Sequence, residues 1–412
     1  MKSNIVFLLM LSLLIWSCQE ESESPVLPVT YSDYRDFNSL NDLRTSLENI
    51  IISEDSLRLM VFLDSLEANN QIPFAKGVSV MFFYYGEANE VAWAGDFNGW
   101  DFEVNGFSGT KLENSDVWFL YRTFPKDARL DYKIVLNNSS WILDPRNSFI
   151  QVSGFGANSE LRMPDWEYPE ETIARDEVMK GTLSNNFLIS SISSNLGYDV
   201  NYKVYTPYNY ASLDSLAVVY FTDGHEYANP ALGAAVNVLD NLIYDEEIEP
   251  LLAVFIDPRD PNNSSINRRI DEYAGNPDFA NFVADELVTE IDNNYKTIKN
   301  PASRGIVGTS FGGRNSAYFG LVRNDVFQKI IIHSPALNQQ IIDDYQNNSK
   351  LPLDVFMSTG VIYDTENYAR SLKSVLKSKN YNLQYIEVNE GHSWGNWRAL
   401  IDDPLKFLFE KE

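Results

Sequence analysis

At 412 residues the chain is too long for one ordinary hydrophobic core, and its 44% hydrophobic content excludes general disorder, so two folded domains are expected. Its 58 acidic residues against 32 basic ones give a net charge of −26, which repels phosphate backbones and argues against nucleic acid as a partner. A single cysteine, Cys18, excludes a disulfide framework, and 13% aromatic residues suit either a β-rich core or a surface that stacks on sugar rings.

Lys2 precedes an apolar run over residues 5–16, too short to span a bilayer and suited to the core of a signal peptide. The run ends in Ile15-Trp16-Ser17-Cys18, which resembles the bacterial lipobox that directs cleavage before a lipid-modified cysteine. Trp16 departs from that pattern, where a small residue is usual. Residues 19–25, QEESESP, resemble the acidic export tether of surface lipoproteins in Bacteroidetes-type bacteria. The expectation is a lipoprotein signal peptide over 1–18, lipid on Cys18 and a chain anchored to the outer membrane, facing the periplasm or the cell surface. The alternative is a plain signal peptide with an incidental cysteine.

Residues 19–74 combine that tether with short helices: leucines at 40, 43 and 47 and apolar residues at 59, 62, 63 and 66 recur at helical spacing. From Gly77 the pattern becomes β, with VSVMFFYY, EVAWAG, VWFLYRTF and DYKIVLN bounded by turn residues, which predicts a sandwich over 75–165. GDFNGW at 95–100, Trp118, Tyr132-Lys133 and WILDPRN at 141–147 resemble the early-set, glycogen-binding-like and immunoglobulin-like β-sandwich of glycogen-branching enzymes and isoamylases. That resemblance implies at most contact with carbohydrate, through Trp100 and Trp141, although such tryptophans more often fill the core. The other role open to the sandwich is a wall or lid for the next domain. Residues 166–185 are charged, lack an apolar stripe and are expected to be a linker.

In 186–412, strand-like runs (DVNYKVYT, SLAVVYF, LLAVFI, RGIVG, KIIIHS, DVFMS, LQYIEV) alternate with helical ones, one carrying Phe279, Val283, Leu287 and Ile291 every four residues. Apolar runs separated by helices predict a parallel sheet buried on both faces, an α/β fold. Ile306-Val307 leads into Gly308-Thr309-Ser310-Phe311-Gly312, a G-x-S-x-G word entered from a strand and followed by a helix. Such a turn lifts a serine hydroxyl above the sheet and turns the next peptide N–H, that of Phe311, toward an oxyanion. Ser310 is the expected nucleophile. It needs a base, and the histidines available are His225, His333 and His392. His392, after the last strand-like run, is placed as the base, and His333 is expected to be structural. Asp364 is preferred as the orienting acid over Glu366, with Asp354 and Asp402 as outside candidates. Thr222-Asp223-Gly224-His225 offers a second oxyanion amide at His225, with Asp223 bracing the loop, unless it is an ordinary tight turn. The arrangement calls for no cofactor and no metal.

VYTPYNY at 204–210, FTDGHEY at 221–227, RIDEY at 269–273, ADELVTEIDNNY at 284–295, RGIVGTSFGG at 304–313 and EGHSWGNWRALI at 390–401 together resemble the putative esterase family. That family includes enterochelin esterases and family-one carbohydrate esterases, and the resemblance implies an α/β-hydrolase preceded by a sandwich. It also implies substrate contacts at Arg269 and Tyr273, with Tyr227 and Trp394 as further candidates. A plainer reading makes Arg269 half of a buried brace with Glu272. The implied activity is a serine esterase acting on feruloyl or acetyl esters of glycans outside the cytoplasm. A ferric siderophore esterase is the alternative, and a silent glycan-binding lipoprotein comes third.

Overall fold

The computed structural model describes residues 33–189 and 194–411, so Cys18 and the expected signal peptide lie outside the described residues. Two helices come first, as the leucine spacing predicts. Ser39 caps Leu40–Ile52 by accepting the Asp42 N–H, and Asp55 caps Ser56–Ala68 by accepting that of Arg58, so each start satisfies an otherwise orphaned amide. Leu43, Leu47, Phe62 and Leu66 are buried against Phe74, Met81, Phe83 and Phe119.

The strands that follow are β1 (Phe74–Lys76), β2 (Ser79–Tyr85), β3 (Val91–Gly95), β4 (Thr110–Lys111), β5 (Val117–Thr123), β6 (Arg129–Leu136), β7 (Ser140–Ile142), β8 (Ile150–Ser153) and β9 (Gly156–Arg162). One sheet runs β1-β2-β5-β4 and the other β3-β6-β9-β8, with β7 on β6. The run VMFF in β2 does not alternate because both of its faces are covered. Met81 and Phe83 turn to the N-terminal helices, while Val80 and Phe82 join Trp93, Trp118, Leu130, Tyr132 and Leu161 between the sheets. Trp93 and Trp118 therefore fill the core, whereas the tryptophans favoured for that duty do not. Trp141 is 41% exposed and packs edge-on to Phe102, and Trp100 is half-buried with its indole N–H on Asp96.

The expected linker is ordered and adds a strand, β10 (Thr182–Leu183). It joins β11 (Phe187–Ile189), β12 (Val200–Thr206), β13 (Ala217–Phe221), β14 (Leu251–Asp257), β15 (Arg304–Thr309), β16 (Lys329–His333), β17 (Asp354–Gly360) and β18 (Asn382–Val388). The order is β10-β12-β14-β13-β15-β16-β17-β18, with β11 on β12. Pairing is antiparallel between β12 and β14 and parallel from β14 to β18. Apolar clusters cover both faces, one around Val218, Phe279 and Ile332, the other around Val219, Phe255 and Leu408, which gives the α/β-hydrolase arrangement. Phe279, Val283, Leu287 and Ile291 are all buried. A spacing of four would drift around an ordinary 3.6-residue helix. The wider π-turn over Phe282–Leu287 between two α segments keeps all four on one face.

Candidate active site

Loops at the C-terminal ends of the parallel strands, where open α/β sheets form crevices, carry the residues expected to be catalytic. Strand β15 ends at Thr309, Ser310 follows at φ 59° and ψ −117°, and the helix Phe311–Val322 begins at once. A Cβ on Gly308 would stand 2.2 Å from the Gly312 backbone, so this strand can approach its following helix only without a side chain there. The Ser310 N–H donates to the His333 carbonyl at 3.0 Å and the Ser310 carbonyl accepts from Ala336 at 2.9 Å, which fixes the strained turn.

Asp364 follows β17, His392 follows β18, and the structure brings both to the serine. His392 Nε2 lies 2.9 Å from Ser310 Oγ, and His392 Nδ1 lies 2.6 Å from Asp364 Oδ1. The second oxygen of Asp364, whose side chain is fully buried, accepts from Ser334 Oγ and the Gly360 N–H, each at 2.6 Å, and from Thr359 Oγ1 at 3.3 Å. Sequence reasoning missed Ser334, Thr359 and also Asn396, whose amide holds the Gly391 carbonyl, because nothing in their neighbourhood along the chain marks them. Glu366 instead opens the helix Glu366–Ser378, Asp354 takes the Asn382 amide and Asp402 pairs with Lys406. His333 is buried beneath the serine with Nδ1 on Ser358 Oγ at 2.7 Å, and burial holds its imidazole down at about 3.

The loop after β13 lies against this turn, since a Cβ on Gly312 would meet Thr222 and Asp223. Asp223, at φ 52°, precedes a short helix, Gly224–Tyr227, and His225 lies in its first turn, where peptide N–H groups lack acceptors within the helix. The His225 ring sits 3.4 Å from Asp257, with its imidazole lowered to about 4, chiefly by burial. Asp223 does brace the loop, accepting from Arg269 Nε at 2.8 and 2.9 Å, and its own N–H donates to Tyr273 at 3.0 Å.

Three expected substrate contacts need correction. Tyr227, Tyr273 and Trp394 are buried, with Tyr227 against the Trp394 ring, so they support the loops rather than face a ligand. Arg269 is tied to Asp223 and to the Thr309 carbonyl, and Glu272 takes the Tyr198 hydroxyl instead, so the Arg269–Glu272 brace is not formed. A groove of about 980 Å³ lined by residues such as Arg44, Glu48, Lys111 and Phe119 lies between the N-terminal helices and β4–β5, apart from Ser310.

Residues 193–351 match the family model described as "Putative esterase". This part of the chain is similar to that esterase family. The protein is accordingly a carboxylic ester hydrolase. The esterase is 25% identical over 226 residues to the uncharacterized protein YjcH of Bacillus subtilis, a match covering 52% of this chain and 93% of that one. It is also 25% identical over 324 residues to an endo-1,4-beta-xylanase/feruloyl esterase of Xylanibacter ruminicola, covering 74% of this chain but only 42% of that protein. Its fold is similar to the enterobactin esterase of Shigella flexneri (TM-score 0.66, 18% identity, 80% of this chain and 92% of that one). It is equally similar to the ferric enterobactin esterase of Salmonella typhimurium (TM-score 0.67, 17%, 80% and 93%).

In the esterase the sandwich is seated on the loops of the site. The Asp96–Asn98 turn lies against Gly391, where a Cβ would stand 2.3 Å from the Asp96 carboxyl carbon, and Gly99 lies against the Tyr363 ring. The β8–β9 hairpin reaches Glu226, whose carboxyl is pushed up to about 7 by burial and then by the Asp223 charge.

Proposed function

We propose that Ser310, His392 and Asp364 are nucleophile, base and orienting acid of the esterase, and that the Phe311 and His225 amides receive the oxyanion. The observation that carries this is the unbroken chain Asp364–His392–Ser310, at 2.6 and 2.9 Å, on a strained strand-to-helix turn. His392 Nε2 takes the hydroxyl proton as Ser310 Oγ attacks the ester carbon, and the charge passes to the carbonyl oxygen. The imidazolium then protonates the departing alcohol. Water, deprotonated by the same imidazole, releases the acid and restores the serine. Ser310→Ala should lower hydrolysis at least about 10³-fold on folded protein. Retention of a few per cent of activity overturns the assignment.

The substrate class we infer is a feruloyl or acetyl ester on a neutral glycan outside the cytoplasm. Two points support it: the chain carries a charge of −26, and Arg269 and Arg259 beside the site are already paired with Asp223 and Asp257. Little net positive charge is left for an anionic siderophore. The xylanase/feruloyl esterase relative agrees with this. A ferric siderophore ester is the second reading, favoured by the fold shared with the enterobactin esterases across 80% of the chain. Hydrolysis of acetyl, feruloyl and siderophore esters measured side by side separates the two. For location, the reading is a lipid-anchored outer-membrane protein, because Cys18 follows an apolar run and precedes an acidic tether. Cys18→Ser should move the protein out of the detergent phase, and unchanged partition refutes the anchor.

A further inference from the structure

We propose that Arg129, on the sandwich, is a positioning residue for the base, and that the sandwich holds the loop bearing His392 in register with Ser310. The inference rests on the triad reading above. The loop leaves β18 at Val388 and enters the short helix Trp394–Arg398. Sandwich residues or their extension contact it on both sides of the histidine. Before it, Arg129 and Glu390 form a parallel backbone bridge, Asn389 donates to Asp127 at 2.8 Å, and the Trp166 indole donates to Glu390 at 3.2 Å. After it, Arg129 Nη1 lies 3.1 Å from Ser393 Oγ, and a Cβ on Gly395 would stand 1.9 Å from the guanidinium carbon. The helix after the histidine therefore has a glycine where the arginine enters.

The guanidinium is fully buried and is held from behind by Glu160, at 2.9 and 2.7 Å, and by Asp131, with Glu390 at 3.6 Å in front. Burying an ion this deeply costs more than packing an apolar side chain of the same volume, so it adds little to stability. What a planar five-donor fork supplies is geometry, with several directions fixed at once. Here the fixed group is the loop, 390 on one side and 393 on the other. The hydrolase holds the histidine itself and the inner side of the loop: Asp364 on His392 Nδ1, Asn396 on the Gly391 carbonyl, the Ile362 N–H on the Glu390 carbonyl, the Trp397 N–H on the Ser393 carbonyl, and the Trp397 ring edge-on to His392. A histidine displaced by about 1 Å loses on the order of 10²-fold in rate while ground-state binding is kept.

The test uses the full chain and a small soluble aryl ester that needs no polymer binding. Two variants are compared with wild type: Ser393→Ala, which removes one contact and leaves the ion cluster whole, and a triple variant, Arg129→Met with Asp131→Asn and Glu160→Gln, which removes both signs together. Per serine labelled by a fluorophosphonate, kcat should fall about threefold in the first and about 10- to 100-fold in the second, with KM within about twofold. The low-field proton resonance of the His392–Asp364 bond, assignable in a chain of three histidines, should weaken in step. A purely structural role predicts a lower melting temperature with kcat per labelled serine and the resonance unchanged, and that result overturns the proposal. If the triple variant does not fold, Ser393→Ala decides on the same readouts. If Ser310→Ala still turns over, the triad reading fails instead.

Discussion

Ser310 and His392 are hydrogen-bonded to one another yet are held in opposite ways. The serine is fixed by adjacent chain: a strand, two glycines and a helix within a few residues, with β16 alongside. The histidine sits on a loop whose neighbours come in part from a separate layer of the molecule, 264 residues away in the case of Arg129 and Ser393. A site built half from local geometry and half from a distant scaffold breaks differently at its two ends.

The largest effect is expected where the two halves meet. Asp364→Asn keeps the shape but presents an amide to the imidazole, and kcat should fall by about 10⁴-fold, as expected when an orienting carboxylate is lost. A loss under about tenfold would mean that the loop contacts alone orient the histidine. Gly308→Ala tests the local half. Its Cβ must displace the Gly312 backbone, so kcat should drop on the order of 10²-fold, KM should change little, and the sandwich-held loop should be undisturbed. Wild-type turnover would show that the turn tolerates a side chain. The smallest effect concerns the distant half and appears in stability. Burial raises the Glu390 carboxyl to about 7, against the opposing pull of Arg129, so the native state keeps a proton that the unfolded chain gives up near its ordinary value. That contribution is complete at low pH and is lost as pH rises through about 7. Glu390→Gln should therefore gain in melting temperature relative to wild type between pH 5 and 8. Thermal unfolding across that range checks it, and a difference that stays flat rejects it.

The local half was legible in the sequence. G-x-S-x-G between an apolar run and a helix named Ser310, and chain order alone selected His392 and Asp364, because in this fold each follows the end of a strand. The distant half was not. Arg129 reads as the first residue of an ordinary strand, and Asp131 and Glu160 read as surface charges on alternate positions. Only the pairing of β6 with β9 and the docking of the sandwich bury them together. The same blindness placed Tyr227, Tyr273 and Trp394 at the substrate: an aromatic beside a catalytic word can face the pocket or prop up its floor, and the one-dimensional pattern is identical. The sandwich tryptophans failed in the reverse direction, since Trp141 lies on short edge strand β7 and Trp93 in the interior of β3.

The distance along the chain between Arg129 and the loop it holds also sets a timetable. Domains fold as they emerge, N-terminal part first, at about 5–20 residues per second, so Arg129 waits on the order of ten seconds or more for Ser393 to be made. Ser310 emerges 82 residues ahead of His392. Through that interval the nascent protein carries the proposed nucleophile without its proposed base. On that reading, hydrolytic power arrives only when the residues around His392 dock onto a sandwich made well before them, so a molecule clipped between the two is a silent one.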